Sequence, residues 1–205
     1  IPGIESICLG SNAPAHVGVS STTMKVFKDK KEIDLMVETM SADPEYFGIY
    51  KMKLQAGRLP VKSDTTKEYL VNEAFAKAFG YSPPTDIIGQ TVERGSAKIP
   101  VVGLLADFQT KSTHDLIKPL AFSSDRKSSW TIHMALKSEA GTPGQWKVTL
   151  SKIGSEFKKL YPDDDFNIIF FDETIAAFYK QEQDISRLLN WSAGLCIFIS
   201  CLGLL

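Results

Sequence analysis

Three stretches of the 205-residue sequence predict an α+β fold. Ile33, Leu35 and Val37 alternate with Asp34, Met36 and Glu38, the two-residue period of a strand with one better-buried face. Trp146, Leu150, Ile153, Phe157 and Leu160 recur at intervals of four, three, four and three, which marks one face of a helix of about four turns, closed by Tyr161-Pro162. Between them, the apolar triplet Tyr69-Leu70-Val71 runs directly into Asn72 to Gly80, a strand-to-helix unit. Asn72 can cap, Glu73 suits the positive helix N-terminus, three alanines propagate the helix and Gly80 supplies a left-handed stop. Capping accounts for both residue types of the Asn72-Glu73 pair, so it is not read as catalytic.

Taken in order, Pro2-Gly3 opens a strand from Ile4 to Leu9, and Gly10 to Ser21 is rich in small, turn-forming residues. A second extended region covers Met24 to Val26, Lys28 to Lys31 makes a charged turn, and the Ile33 to Val37 strand pairs with it as its neighbour. Asp43 can cap a short helix with Pro44 in its first turn, where a missing N–H costs nothing. Gly48 weakens that helix, the chain is extended again by Leu54, and it reaches Gly57-Arg58-Leu59-Pro60. Val61 to Glu68 is polar and aperiodic, an exposed loop.

After Gly80, Ser82-Pro83-Pro84-Thr85 is a break. Ile87 to Val92 and Ile99 to Leu105 read as strands of a hairpin around the turn Glu93 to Ala97. Asp107-Phe108 ends that unit, and Ser112 to Pro119 is one helical turn stopped by proline. Trp130, Ile132, Met134 and Leu136 alternate strictly, so they are expected on the buried face of a strand. Gly141 to Gly144 is a turn. Phe166 to Phe171, a continuous apolar run, is expected to be a fully buried strand, completing a β-α-β unit with the Trp146 to Leu160 helix.

The C-terminal stretch begins as an amphipathic helix and changes character. Asp172 can cap it; Ile175, Phe178, Tyr179, Ile185, Leu188 and Leu189 mark an apolar face, with Lys180, Glu182, Asp184 and Arg187 on the rest. From Leu188 to Leu205 there is no charged residue. At the helical rise this stretch reaches about 27 Å, close to a hydrocarbon core of about 30 Å. Gly194 and Gly203 suit close helix packing in lipid, and Trp191 suits the interface. The expectation is a truncated transmembrane span with an extramembrane domain before it. Because the text opens on Ile1-Pro2 without an initiator Met, the chain is read as a piece of a longer protein.

Several function classes drop out. A net charge of -1, from 23 basic and 24 acidic residues, gives no electrostatic case for nucleic acid. Cys8 stands alone, and Cys196 and Cys201 are five apart, which is neither a disulfide framework nor a ligand spacing. GxxxxGK[ST], GxGxxG after a strand, GxSxG and HExxH are all missing, and His16, His114 and His133 fall in different units. His114 beside Asp115, with Ser112 and Asp107 near it, is the one constellation that resembles a catalytic group, yet capping explains Ser112 and Asp115. Asp163, Asp165 and Asn167 imitate the start of a calcium loop, but Ile168 and Thr174 stand where its glycine and glutamate belong. No enzyme activity, cofactor or metal is expected.

The order of the pieces carries a resemblance. Tyr46 and Phe47 after Asp43-Pro44-Glu45, Gly57-Arg58, Val71-Asn72-Glu73-Ala74, Gly89 between Ile88 and Gln90, Gly103 after Val101-Val102, Asp107-Phe108, His114 with Ile117-Lys118-Pro119, and Tyr179 with Glu182 before an apolar helix together resemble the extracytoplasmic domain of MacB-type, FtsX-like ABC transporter permeases, most of all a Bacteroidetes-type branch. The likeness spans nearly the whole chain. It implies two lobes: a porter-like lobe of residues 1–60 and 120–180, and an inserted lobe of residues 61–119, followed by a helix of residues 181–205 leading into the membrane. It also implies a domain without an active site on the periplasmic side of a bacterial inner membrane. The implied partners are a cytoplasmic ABC ATPase on a separate chain, a second permease copy, membrane lipid and, as in MacB, a periplasmic adaptor. ATP hydrolysis would be coupled to export or extraction of substrates such as peptides, lipoproteins or drugs. Two rival readings are an extracellular ligand-sensing domain of a receptor and a membrane-anchored hydrolase using His114.

Overall fold

The structure is a computed structural model that describes residues 2–14, 19–28, 31–109, 116–137 and 144–202, without the side chains of residues 145, 177–183, 198 and 201. Nine strands and four helices occur among these residues: β1 (Ile4–Gly10), β2 (Ser20–Lys28), β3 (Lys31–Ser41), α1 (Pro44–Ile49), β4 (Leu54–Gly57), β5 (Tyr69–Asn72), α2 (Glu73–Ala78), β6 (Thr91–Arg94), β7 (Ala97–Leu105), β8 (Leu120–Ser123), β9 (Thr131–Leu136), α3 (Gln145–Leu160) and α4 (Phe171–Leu202). The α+β class is as expected.

The strands form two sheets. Seven lie in the order β4-β7-β5-β8-β3-β2-β6, and β6 also pairs with the first half of β7, so the sheet closes on itself, with β4 pairing the last residues of β7. Closure removes the free edges that an open sheet would expose. The β2–β3 and β6–β7 hairpins are antiparallel, whereas β3–β8 and β5–β7 are parallel. Met24, Val26, Val37, Val71, Val92, Ile99 and Val101 fill the interior together with Phe75 of α2 and Phe79 at its C-terminal end, all under 5% exposed. The sheet draws strands from both sides of residues 60/61 and 119/120.

The second sheet is the antiparallel pair β1–β9, registered so that Cys8 faces His133 and Leu9 faces Ile132. A second buried cluster lies between this pair and the barrel, comprising Cys8, Met40, Ala42, Tyr46, Phe47, Leu70, Leu105, Leu120 and Phe122. Thus α1 is wedged between two sheets, which explains why a helix of six residues interrupted by Gly48 persists: tertiary packing replaces intrinsic propensity.

Several local expectations are corrected. Asp43 occupies the N-cap of α1 but makes no side-chain cap; its Oδ2 accepts from Leu9 N at 3.3 Å, tying α1 to β1 instead. Pro84–Ile87 is a short 3-10 helix, and strand pairing begins only at Thr91. In β9 the faces are the reverse of those expected: Trp130 and Ile132 are 64% and 55% exposed, and His133 is buried. The β1 register sets this, because the Cys8–His133 pair is on the side where α1 packs. Phe166 to Phe170 is irregular backbone, and the helix begins at Phe171, one residue before the expected cap. The aromatic rings of this run are used to cover helices: Phe166 lies 5.2 Å from Phe157, and Phe170 lies 5.6 Å from Trp146.

α4 is one unbroken helix of 32 residues, a length of about 48 Å. Every described side chain from Asp184 to Leu202 is exposed, including Leu188, Leu189, Trp191, Leu195, Ile197 and Ile199. Among the described residues no helix is long and apolar enough to cross a membrane. The charge-free part that is described, Leu188 to Leu202, rises only about 22 Å.

Candidate functional site

The residues that set the sequence apart gather at structural junctions rather than in one pocket. The richest junction is where α4 leaves the domain. The Phe171 ring meets Tyr50 edge-on at 5.1 Å, and Tyr50 packs on Tyr46 at 4.6 Å. Tyr46 in turn touches Phe47 at 5.9 Å, His133 at 5.1 Å and Phe122 at 6.1 Å, and Phe47 meets Phe122 at 5.2 Å. Phe108 also packs on Phe122, with ring centroids 6.1 Å apart. A string of rings therefore runs from the first residue of α4, through α1 and β9, to β8 of the barrel. Tyr46 in α1 and Tyr50 at its C-cap are one helical turn apart, so both lie on the same side.

Polar groups lock the string. The Tyr50 hydroxyl lies 2.9 Å from His133 Nδ1, and the Tyr46 hydroxyl donates to the Asn12 carbonyl at 2.6 Å. Backbone approach is tight: a Cβ on Gly10 would sit 3.0 Å from His133 Nε2 and 3.1 Å from Tyr46 Cδ2. Burial pushes the Cys8 thiol up to about 11 and Tyr50 up to about 12, raises Tyr46 further, and pushes His133 down to about 4. Each group is neutral near pH 7, so the cluster holds neither a thiolate nor an imidazolium. It is an uncharged, close-packed junction.

This neutrality gives a pH prediction. His133 has an ordinary pKa of 6.5 that the fold depresses to about 4, so the unfolded chain takes up the proton first. Its contribution is complete above 6.5 and is lost as pH falls through that window towards 4. Urea midpoints at about pH 7 and about pH 4.5 should differ more in the parent chain than in His133→Gln, which does not titrate. Equal differences would assign the effect to carboxylates.

The other motif residues form two further junctions. Gly57 has φ +76°, and a Cβ there would lie 2.4 Å from the Val102 carbonyl oxygen; one on Gly103 would lie 2.3 Å from that of Arg58. The two glycines let β4 and β7 touch backbone to backbone. Arg58 then clamps Glu68, donating from Nη1 at 2.9 Å, and Glu68 also accepts from Val61 N at 3.0 Å. The Arg58 guanidinium holds the Glu68 carboxyl below the usual range. Around α2, Asn72 Oδ1 accepts from Phe75 N and Leu120 N, both at 3.0 Å, and its Nδ2 donates to the Lys118 carbonyl at 2.9 Å. Asp107 caps the same helix by accepting from Ala74 N at 2.8 Å, and Glu73 pairs with Lys77 at 2.6 Å. The Pro119 carbonyl accepts from Glu38 N, and Gly89, at φ +83°, donates its N–H to Val101. Tyr179 and Glu182 lie in α4 with side chains outside the described set; His114, with Ser112 and Asp115, lies outside the described residues altogether. Among the described residues no group of His, Cys, Asp or Glu could hold a metal ion.

Comparison with solved structures decides the fold. The periplasmic region of MacB from Actinobacillus actinomycetemcomitans aligns over 86% of this chain and 77% of that one, with TM-score 0.60 and 17% identity. The chain has the MacB periplasmic fold. Two other structures share it: a permease-protein domain from Porphyromonas gingivalis, with TM-score 0.53, 16% identity and 85% and 83% coverage, and the extracellular domain of the noncanonic ABC-type transporter YknZ from Gram-positive bacteria, with TM-score 0.51, 14% identity and 80% and 79% coverage. No family model matches the sequence, and no curated protein matches it. The MacB-type fold therefore persists here at an identity where only the architecture is common. Tyr50, His133, Phe122 and Phe171 join Tyr46, Phe47 and Phe108 in the string of rings; the one sequence signal for them is the four-residue spacing of Tyr46 and Tyr50.

Proposed function

We propose that this chain is the extracytoplasmic domain of an ABC transporter permease of the MacB-type, FtsX-like kind, on the outer side of a bacterial inner membrane. The observation that carries the reading is the MacB-type fold joined, through Phe171 and Tyr50, to a single long helix whose far half is apolar and exposed. In this reading α4 continues into a transmembrane span. ATP hydrolysis by a cytoplasmic ABC ATPase tilts the span, and the ring string passes that tilt into the β1–β9 sheet and the barrel, because packed elements move as units. Two permease copies open and close a surface between them, with a periplasmic adaptor where one is present, and a substrate is exported or extracted. The porter-like lobe of residues 1–60 and 120–180 and the inserted lobe of residues 61–119 would share the closed sheet, so motion in one reaches the other. The domain itself does no chemistry.

A fluorophore on a cysteine introduced at Lys98, at the tip of the β6–β7 hairpin, tests this in the full-length protein reconstituted with its ATPase. Vanadate trapping of nucleotide should shift its emission without any added ligand. A signal that ignores nucleotide and answers only an added small molecule would instead indicate a ligand-sensing receptor.

A further inference from the structure

A groove of about 740 Å³ runs between the outer face of the β1–β9 sheet and the loop preceding β5, well within the size of small-molecule sites. Its floor is apolar. Leu9 pairs with Ile132, and Ile7 lies two residues along on the same face; Ile7 and Ile132 are 53% and 55% exposed, side chains that a soluble surface gains nothing by presenting together. Its wall is cationic, carrying Lys67 from the loop and Arg126 from the turn after β8.

The wall is preformed. Ser63 N donates to the Ser124 carbonyl at 3.0 Å, Arg126 N donates to the Ser63 carbonyl at 2.9 Å, and Glu68 holds Val61 N. Charges inside the groove are partly spoken for: Lys62 bridges Glu45 at 2.9 Å and Asp43 at 3.4 Å. Of the remaining charged lining residues, Lys67 and Arg126 outnumber Asp64, which leaves the wall net positive. The backbone of Leu9 is also engaged, its N–H with the Asp43 carboxylate and its carbonyl with Asp43 N, so β1 cannot take an added strand there. An extended peptide is disfavoured, and recognition has to come from side chains.

We propose that this groove binds a single-chain anionic amphiphile, with its apolar body along Ile7, Leu9 and Ile132 and its carboxylate or phosphate head between Lys67 and Arg126. The site rests on the geometry of this chain and not on the transport reading.

Trp130, exposed and two residues before Ile132, is a built-in reporter once Trp146 and Trp191 are replaced by phenylalanine. In that chain 12-bromododecanoate, kept below its micelle concentration, should quench Trp130 saturably with one site. Lys67→Glu, Arg126→Glu and Ile132→Asn, all at exposed positions, should each raise the half-saturation concentration at least tenfold, and neutral 12-bromododecanol should bind at least tenfold more weakly. Quenching that never saturates, or that is equal in all three variants, would mean partition onto the exposed apolar helix and would overturn the proposal. Binding of an acidic peptide without binding of bromododecanoate would overturn it as well.

Discussion

Asn72→Ala is expected to lower stability by about 3 kcal/mol. Asn72 is 1% exposed and satisfies three backbone groups at once: the Phe75 and Leu120 N–H groups and the Lys118 carbonyl. Losing the helix cap costs about 1 kcal/mol, and leaving the two β8-side groups without partners costs about 1 kcal/mol or more each. In a chain of this size the melting midpoint should fall by roughly 6–12 °C. Asn72→Ser, which can keep the cap but cannot reach Lys118, should recover about 1 kcal/mol. A midpoint for the alanine variant within experimental error of the parent chain would show that Asn72 does not tie α2 to β8.

Local signals were legible and long-range ones were not. Asn72 and Gly80 mark the ends of the α2 unit because capping and left-handed backbone select residue types directly; Gly80 does sit at φ +79°. The β6–β7 hairpin and the β2–β3 pair follow from short connections. The closure of the sheet by β2 on β6, and the parallel pairing of β3 with β8, join residues far apart in sequence, and no local pattern encodes them. Trp130 to Leu136 shows the limit of periodicity: alternation reveals that two faces differ, but α1 decides which face is covered. Phe166 to Phe171 shows another limit, since a continuous apolar run fits a buried strand and equally fits irregular backbone whose rings cover neighbouring helices.

The junction at α4 was half visible. Tyr46, Phe47 and Phe108 stood out by motif, while Tyr50, Phe122 and His133 come from α1, β8 and β9 and meet only when those elements pack. By sequence alone His133 is one isolated histidine among three. Its significance is its burial against Tyr50, which the sequence does not record.

In the proposed reading α4 is a rigid lever between membrane and domain, and its continuity opens that role to direct test. Phe171–Leu202 is unbroken, and Arg187 lies in its interior, just before the charges stop. A four-residue Gly-Ser segment inserted after Arg187 places two glycines and two serines in the lever; each glycine costs about 1 kcal/mol of helix stability, and the exposed helix has no packing there to offset it. The domain, whose buried residues among those described all precede residue 125 apart from His133, Thr149 and Ile153, should fold as before. In the full-length protein reconstituted with its ATPase, transport should be abolished while ATP hydrolysis continues. Transport at the parent rate, with hydrolysis equally unchanged, would rule out α4 as the lever.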